Sequence, residues 1–391
     1  MRVFLLGGAG LVGQSVAEKL AKNAAVTEIT IAGKNLDRAR NAASVIGEKA
    51  NSIKADATDE RQIARLVADY DILVNTSGPD YLVQPSAVKA AIRAGVHYCD
   101  VSCDGPAAEK VLKLNAKAQA AGLTAIIGIG WGPGLDNLMM VHAARQLDRV
   151  DSVHTCIALT MTNLVAGDTN KIAAELRDSG PFSASWETFM RCFSGQCKIY
   201  RDKRWVAVDP FENGAVVANP KGGVVKLYPA CSPEPITVPR SVPGLRNASL
   251  LISFFPLPLN ELARQLASRI RAGEISTKEA AISFIETAGS ERDRWPSTPQ
   301  EFPEDYWIIA QGIKDGSRVR YTLVPTSGWL STRGPLYTAA MMLLNGKIKE
   351  HGIFPPEACL EPIPFMEEVA SNVPGRTPEA KLFEESFEHL A

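Results

Sequence analysis

Residues 1–20 read MRVFLLGGAGLVGQSVAEKL, and the fold turns on how this stretch is parsed. Val3–Leu6 is an apolar run of strand length. Val12, Val16 and Leu20 recur every four residues, which is one face of a helix beginning near Leu11. Between the two, Gly8-Ala9-Gly10-Leu11-Val12-Gly13 fits G-x-G-x-x-G, with Gly7 just before it. Glycine lets the chain turn sharply, lets a phosphate approach bare backbone and lets the helix press on the strand. The helix N-terminus then offers unpaired N–H groups and partial positive charge. Strand, glycine turn and helix in that order predict a dinucleotide site built on Gly7, Gly8, Gly10, Leu11, Val12 and Gly13.

The pattern continues for about 130 residues as alternating strands and helices. Strands are expected at Thr27–Ala32, Ser52–Ala55, Asp71–Asn75, Val96–Val101 and Leu123–Ile129. Helices are expected at Leu36–Gly47, from an N-cap at Thr58, at Pro85–Ala94 and at Ala107–Ala121. Six strands with crossover helices make a doubly wound parallel sheet of Rossmann type.

The second strand narrows the dinucleotide. Proteins selective for the unphosphorylated form usually end this strand with an acid that accepts from the ribose hydroxyls. Here it ends Ala32-Gly33-Lys34-Asn35, with Arg38 one turn later. Gly33, Lys34, Asn35 and Arg38 therefore predict NADP(H) in preference to NAD(H), the cations flanking a 2′-phosphate. The competing reading has solvated cations, with Asp37 serving the ribose. Asp56, after the third strand, stands near the adenine or caps the next helix.

Composition removes other classes. The net charge is −1, with 46% hydrophobic and 22% charged residues, so no basic field suggests nucleic acid or an acidic membrane surface. No apolar run reaches the roughly 18 residues of a membrane span, and no secretory signal opens the chain. Seven cysteines, of which Cys192 and Cys197 lie close together, lack a second pair at metal-ligand spacing. They read as free thiols in a reducing cytoplasm.

From about Val150 the pattern changes to β-branched and aromatic alternation, as in HTCIALTM, CKIYRD, RWVAV and GAVVANP. Asp202-Lys203, Glu212-Asn213-Gly214 and Lys221-Gly222-Gly223 supply the turns of an antiparallel sheet. SLLISFFPLPL (249–259) reads as core or interface, and Leu259–Ala272 as a helix. A helical pattern returns near Gly334 and stops at Gly346, and the tail from Pro374 is charged surface.

Taken together, GGAGLVGQ, AGKNLDRA, DILVNTSGP, GVHYCDVSCD and GIGWGPGLDN resemble the saccharopine dehydrogenase (saccharopine reductase) family, near the carboxynorspermidine dehydrogenases and opine-type reductases. SASWETFM, KIYRDKRW, SPEPITVPR and RGPLYTAAMMLLNGKIKEHGIFPPE extend the likeness to about Pro364. Lys34 stands where many relatives carry arginine. The resemblance implies a nucleotide domain over 1–134 and an α+β substrate and dimerisation domain with a mixed sheet over 135–333. C-terminal helices over 334–391 would return to the first domain. It implies a homodimer and reduction, by NAD(P)H, of an imine formed between an amino acid or polyamine and a carbonyl acid.

Such a reaction needs orientation, carboxylate anchors and a proton source, and requires neither metal nor nucleophile. No G-x-S-x-G, H-E-x-x-H or paired C-x-x-C is present. Ligands of open α/β sheets sit beyond the carboxyl ends of the strands. Ser77 and Gly78 follow the fourth strand and would receive the nicotinamide ribose. Cys103 and Asp104 follow the fifth and are the candidate proton donors; the plainer readings are a small buried thiol and a turn residue. Trp131 follows the sixth and would wall the pocket. Arg240 and Arg333 are the candidate carboxylate anchors, against surface ion pairing. Glu234 would orient an amine or end a strand, Arg201 and Arg204 face solvent, and His97 and His142 read as structural. Two other functions compete: an enoyl or carbonyl reductase of the same family, and a dinucleotide-binding regulator without turnover.

Overall fold

The computed structural model describes residues 1–160, 168–180, 183–195, 197–291, 305–377 and 379–390. Met161, the last residue of HTCIALTM, lies outside the described residues. Two compact units emerge: Met1–Leu138 with Ser327–Ala380, and Met139–Thr326 with Lys381–Ala391.

The first unit is built on strands β1 (Arg2–Leu6), β2 (Glu28–Gly33), β3 (Ala50–Lys54), β4 (Ile72–Asn75), β5 (His97–Asp100) and β6 (Thr124–Ile126). A seventh strand, Gly352–Phe354, was not expected from the sequence; it pairs in parallel with β6. At three residues it is too short to carry a period of its own. The sheet order is Gly352–Phe354, β6, β5, β4, β1, β2, β3, all parallel. Direction along the sheet reverses between β1 and β4, the crevice where such sheets hold ligands. Residues 3–6 of β1 are buried on both faces, as a central parallel strand requires.

Helix α1 (Leu11–Lys22) buries Val16 and Leu20 of the stripe read from the sequence, with Ala17 beside them, while Val12 is half-buried. Each large apolar side chain so placed contributes about 1.5–3 kcal/mol. Helix α2 spans Leu36–Ile46 and α3 spans Glu60–Val67. The N-cap of α3 is Asp59 and not Thr58: Asp59 accepts from the Gln62 N–H at 2.9 Å, while Thr58 donates twice to Asp56. Helix α4 runs Asp80–Ala94, five residues earlier than expected, with Pro85 inside it. The proline removes one backbone donor, but Val83, Ala87, Val88 and Ala91 bury the helix on the sheet and hold it. The helix expected at Ala107–Ala121 is two, α5 (Gly105–Leu112) and α6 (Asn115–Ala120), broken at Lys113-Leu114. Helix α7 follows at Leu135–Arg145.

The second unit holds a nine-stranded sheet whose main path runs 215–218, 224–229, 247–255, 149–160, 305–314, 317–325, 383–389. The hairpin 197–201/204–208 joins it at Ala248–Tyr200. The central pair, 247–255 against 149–160, is parallel, so the sheet is mixed and not wholly antiparallel. Asp202, Lys203, Asn213, Gly222 and Gly223 take positive φ in the expected turns. SLLISFF lies in the central strand Asn247–Phe255 and is buried. Phe193, Phe254 and Phe284 centre the aromatic core beneath it. The charged tail becomes the edge strand Phe383–His389, antiparallel to Ser317–Pro325. Glu384, Glu385 and Glu388 keep that edge wet.

Candidate dinucleotide-binding site

The glycine turn is packed too tightly for any other residue at two positions. Gly7 has φ +79°, and a Cβ there would stand 2.4 Å from the Ser77 nitrogen. A Cβ on Gly13 would stand 2.6 Å from both the Gly7 oxygen and the Gly8 Cα. The β1–α1 turn and the loop after β4 therefore meet backbone to backbone at the switch point. Gly10 is the N-cap of α1 and offers no side-chain cap, and the first turn carries no acid. The N–H groups and dipole of α1 are thus left for an anion. This bare-backbone cradle fits a dinucleotide pyrophosphate.

Gly33, Lys34, Asn35 and Arg38 gather at the carboxyl end of β2. Asn35 caps α2 by accepting from the Arg38 N–H at 3.0 Å. Lys34 Nζ lies 3.4 Å from Asp56 Oδ1, with the lysine well exposed. Asp56 is held below the usual carboxylate range, first by the Thr58 hydroxyl and with a smaller contribution from Lys34. Asp56 thus holds the turn before α3 through Thr58, but it does not cap that helix, whose N-cap is Asp59. Asp37, the rival ribose ligand, is exposed and lies 3.3 Å from Arg40.

Beneath the next loops runs a buried hydrogen-bond network. Asn75 Nδ2 donates to the Tyr98 hydroxyl at 3.1 Å, and Tyr98 donates to Asp100 Oδ2 at 2.7 Å. Gln84 Nε2 reaches the same oxygen at 2.9 Å. Asp100 Oδ1 accepts from the backbone of Ser102 at 3.1 Å and of Gly128 at 2.7 Å. Asn75 Oδ1 in turn accepts from the Ser77 N–H at 3.0 Å and from its hydroxyl. Asp100 is fully buried, and burial raises its carboxyl despite these donors. One carboxylate thus orients three of the loops that the sequence placed at this end.

The most informative group was missed in the sequence. Asp80 opens α4 directly after Ser77-Gly78-Pro79, and its Oδ2 accepts from the Cys103 N–H at 2.7 Å. Burial, with Asp100 and Asp104 nearby, pushes the Asp80 carboxyl up to about 7, against the pull of that N–H. The signal was an acid immediately after a strand-ending Gly-Pro. Reading Pro85 as the helix start passed over it.

Cys103 is half-buried beside Asp80. Asp104 is buried and caps α5, accepting from the Ala107 N–H at 2.8 Å. Trp131 is half-buried in a closed turn, where Gly130 donates to Pro133 at 2.8 Å and Leu135 donates to Gly130 at 3.0 Å. Thr332 reaches this turn: its methyl would stand 3.2 Å from a Cβ on Gly130. Arg333, the next residue, is exposed at the start of the helix Arg333–Leu344. Arg240 belongs to the second unit, its guanidinium 5.5 Å from the Trp205 ring centre. Glu234, in the same short helix, is fully buried beside the Ser232 hydroxyl. His97 accepts from the Thr124 N–H at 3.1 Å, and burial lowers its pKa. His142 lies 3.0 Å from Glu385 and stacks on Phe383. Among the described residues no group of three His, Cys, Asp or Glu could hold a metal ion, and no helix is long and apolar enough to cross a membrane.

Residues 3–126 match the family described as Saccharopine dehydrogenase NADP binding domain. The chain is 23% identical over 402 residues to a carboxyaminopropylagmatine dehydrogenase of Synechocystis, covering 94% of each. It is 25% identical over 410 residues to a carboxynorspermidine synthase of Vibrio alginolyticus, covering 93% of this chain and 94% of that one. A Saccharomyces cerevisiae saccharopine dehydrogenase (NADP+, L-glutamate-forming) is 33% identical over 146 residues, 37% of this chain and 30% of that one. The solved structure of the apo yeast L-Glu-forming enzyme superposes with TM-score 0.62 at 19% identity, covering 99% of both chains, which establishes the shared fold. The glycine cradle thus lies within the stretch that matches a saccharopine dehydrogenase NADP-binding domain, and over nearly its whole length the chain is similar to saccharopine dehydrogenase-like oxidoreductases.

Proposed function

We propose that this protein reduces, at the expense of NADPH, the C=N bond formed between an amine, either an amino acid or a polyamine, and a carbonyl acid. The observation that carries the proposal is the full-length likeness to a carboxyaminopropylagmatine dehydrogenase and a carboxynorspermidine synthase. By contrast, the likeness to a trans-acting enoyl reductase of Mycobacterium leprae covers only 33% of this chain.

The reduced nicotinamide, when bound, supplies the hydride. The chain's own residues do the rest. Gly7, Gly8, Gly10 and Gly13 with the N-terminus of α1 hold the pyrophosphate, and Lys34 and Arg38 hold the 2′-phosphate. Ser77 and Gly78 border the ribose of the reacting end. Imine reduction needs a proton on nitrogen, so a group titrating near neutrality suits it. Cys103 and Asp104 remain the loop candidates, and Asp80 joins them as the carboxyl that keeps a proton around pH 7. Arg333 and Arg240 serve as carboxylate anchors, since a guanidinium binds a carboxylate with two parallel bonds. Trp131 excludes water from one wall.

The test is NADPH consumption with a matrix of amines and carbonyl acids, followed by mass detection of the secondary amine. Consumption that needs both partners supports the proposal. Consumption with the carbonyl compound alone, or with an enoyl substrate, overturns it.

A further inference from the structure

The second unit carries a thiol pair that the reaction does not use. Cys197 opens the strand Cys197–Arg201, and Cys231 precedes the helix Glu234–Ser241. They are 34 residues apart in sequence, yet the Cys197 S–H donates to the Cys231 sulfur at 3.1 Å. Both side chains are buried, Cys197 completely and Cys231 at 9% exposure. The two segments are also fastened by backbone: the Cys231 N–H donates to the Cys192 carbonyl at 2.9 Å. Sulfur atoms this close need move together by only roughly 1 Å to reach bonding distance.

We infer that Cys197 and Cys231 form a reversible dithiol–disulfide couple, with hydrogen peroxide as the oxidant class. Cys231 is the less buried residue of the two, so it attacks peroxide first. One peroxide oxygen is transferred to that sulfur, the O–O bond breaks and water leaves, giving a sulfenic acid. The Cys197 sulfur then attacks it: the S–S bond forms, the S–O bond breaks, and a second water carries off the oxygen. Two thiols are oxidised by two electrons in total, and one peroxide is reduced to two waters. Burial raises the Cys197 thiol, which keeps its proton, so the closing step is slow. The cross-link ties the helix bearing Glu234 and Arg240 to the first residue of the neighbouring strand.

The full-length protein is incubated with hydrogen peroxide, the excess is removed, and the chain is denatured and alkylated. Alkylated thiols are expected to fall from seven to five, with a Cys197–Cys231 linked peptide in the digest, and dithiothreitol restores seven. Cys231→Ser and Cys197→Ser abolish the linked peptide, while Cys192→Ser retains it. Seven free thiols after treatment, or a linked peptide joining Cys192 to either partner, overturns the inference. The wild-type peptide map decides even where a variant does not fold.

Discussion

The backbone N–H of Cys103 donates to the Asp80 carboxylate over 2.7 Å, joining the loop after β5 to the first residue of α4. Desolvation outweighs that bond, so Asp80 titrates near 7. Its proton is bound more tightly in the folded than in the unfolded chain, where a carboxyl titrates at about 4. Stability from this group therefore declines as pH rises from about 4 to about 7 and is level above. Asp80→Asn removes the dependence. Its melting temperature, relative to wild type, is expected to improve between pH 5 and pH 8 by about a few degrees. A wild-type kcat/KM profile with a limb near pH 7 that disappears in the variant ties the same proton to turnover; an unchanged limb removes Asp80 from it.

Gly13→Ala places a methyl 2.6 Å from two backbone atoms of the glycine turn. The turn must open, and the proposed pyrophosphate cradle opens with it. NADPH affinity, read by quenching of protein fluorescence, is expected to fall at least about tenfold, roughly 1.4 kcal/mol. Retained affinity shows that the dinucleotide lies elsewhere.

Lys34→Ala tests the choice of dinucleotide. The side chain is exposed, and its ion pair with Asp56 contributes little to the fold. NADPH binding is expected to weaken by about tenfold with NADH binding nearly unchanged, because only one of the two carries the 2′-phosphate. Equal loss for both removes Lys34 from the phosphate site.

Arg333→Ala is expected to raise the substrate KM by at least about tenfold, about 1.4 kcal/mol, and to leave the Kd for NADPH in place. The residue is exposed, so the melting temperature is expected to hold within about 2 °C. An unchanged KM assigns Arg333 to the surface.

Asp100→Ala strips one acceptor from four donors: the Tyr98 hydroxyl, the Gln84 amide and the backbone of Ser102 and Gly128. Leaving such donors buried costs about 1–3 kcal/mol each where water cannot replace the lost acceptor. A loss of about 3 kcal/mol or more in a denaturant titration is expected. A loss below about 1 kcal/mol means that water satisfies the network.

Legibility followed the strength of local pattern. Strands β1, β2, β4 and β5 and helix α1 were readable because their apolar residues recur at periods of 2 or 3.6 or fill a short bounded run. Gly352–Phe354 was not, because three residues become a strand only by pairing with β6. Asp80 was hidden by Pro85, whose local preference for a helix start yielded to the packing of Val83, Ala87 and Ala91. The acids told the same story: Asp104, a candidate proton donor or turn residue in the sequence, caps α5, while Asp80 acquired its shifted pKa first from burial, with Asp100 and Asp104 adding to it.

By itself the sequence determined the nucleotide half of this protein. A strand, a glycine turn, a helix and a cationic strand tip lie within the first 38 residues and carry their meaning through local geometry. The tertiary structure decided what depends on distance across the chain. It set which carboxyl is buried enough to hold a proton near neutrality and which backbone groups Asp100 gathers beneath the site. It also brought two cysteines 34 residues apart into contact. Desolvation and proximity are properties of packed surfaces, and no single stretch of chain encodes them.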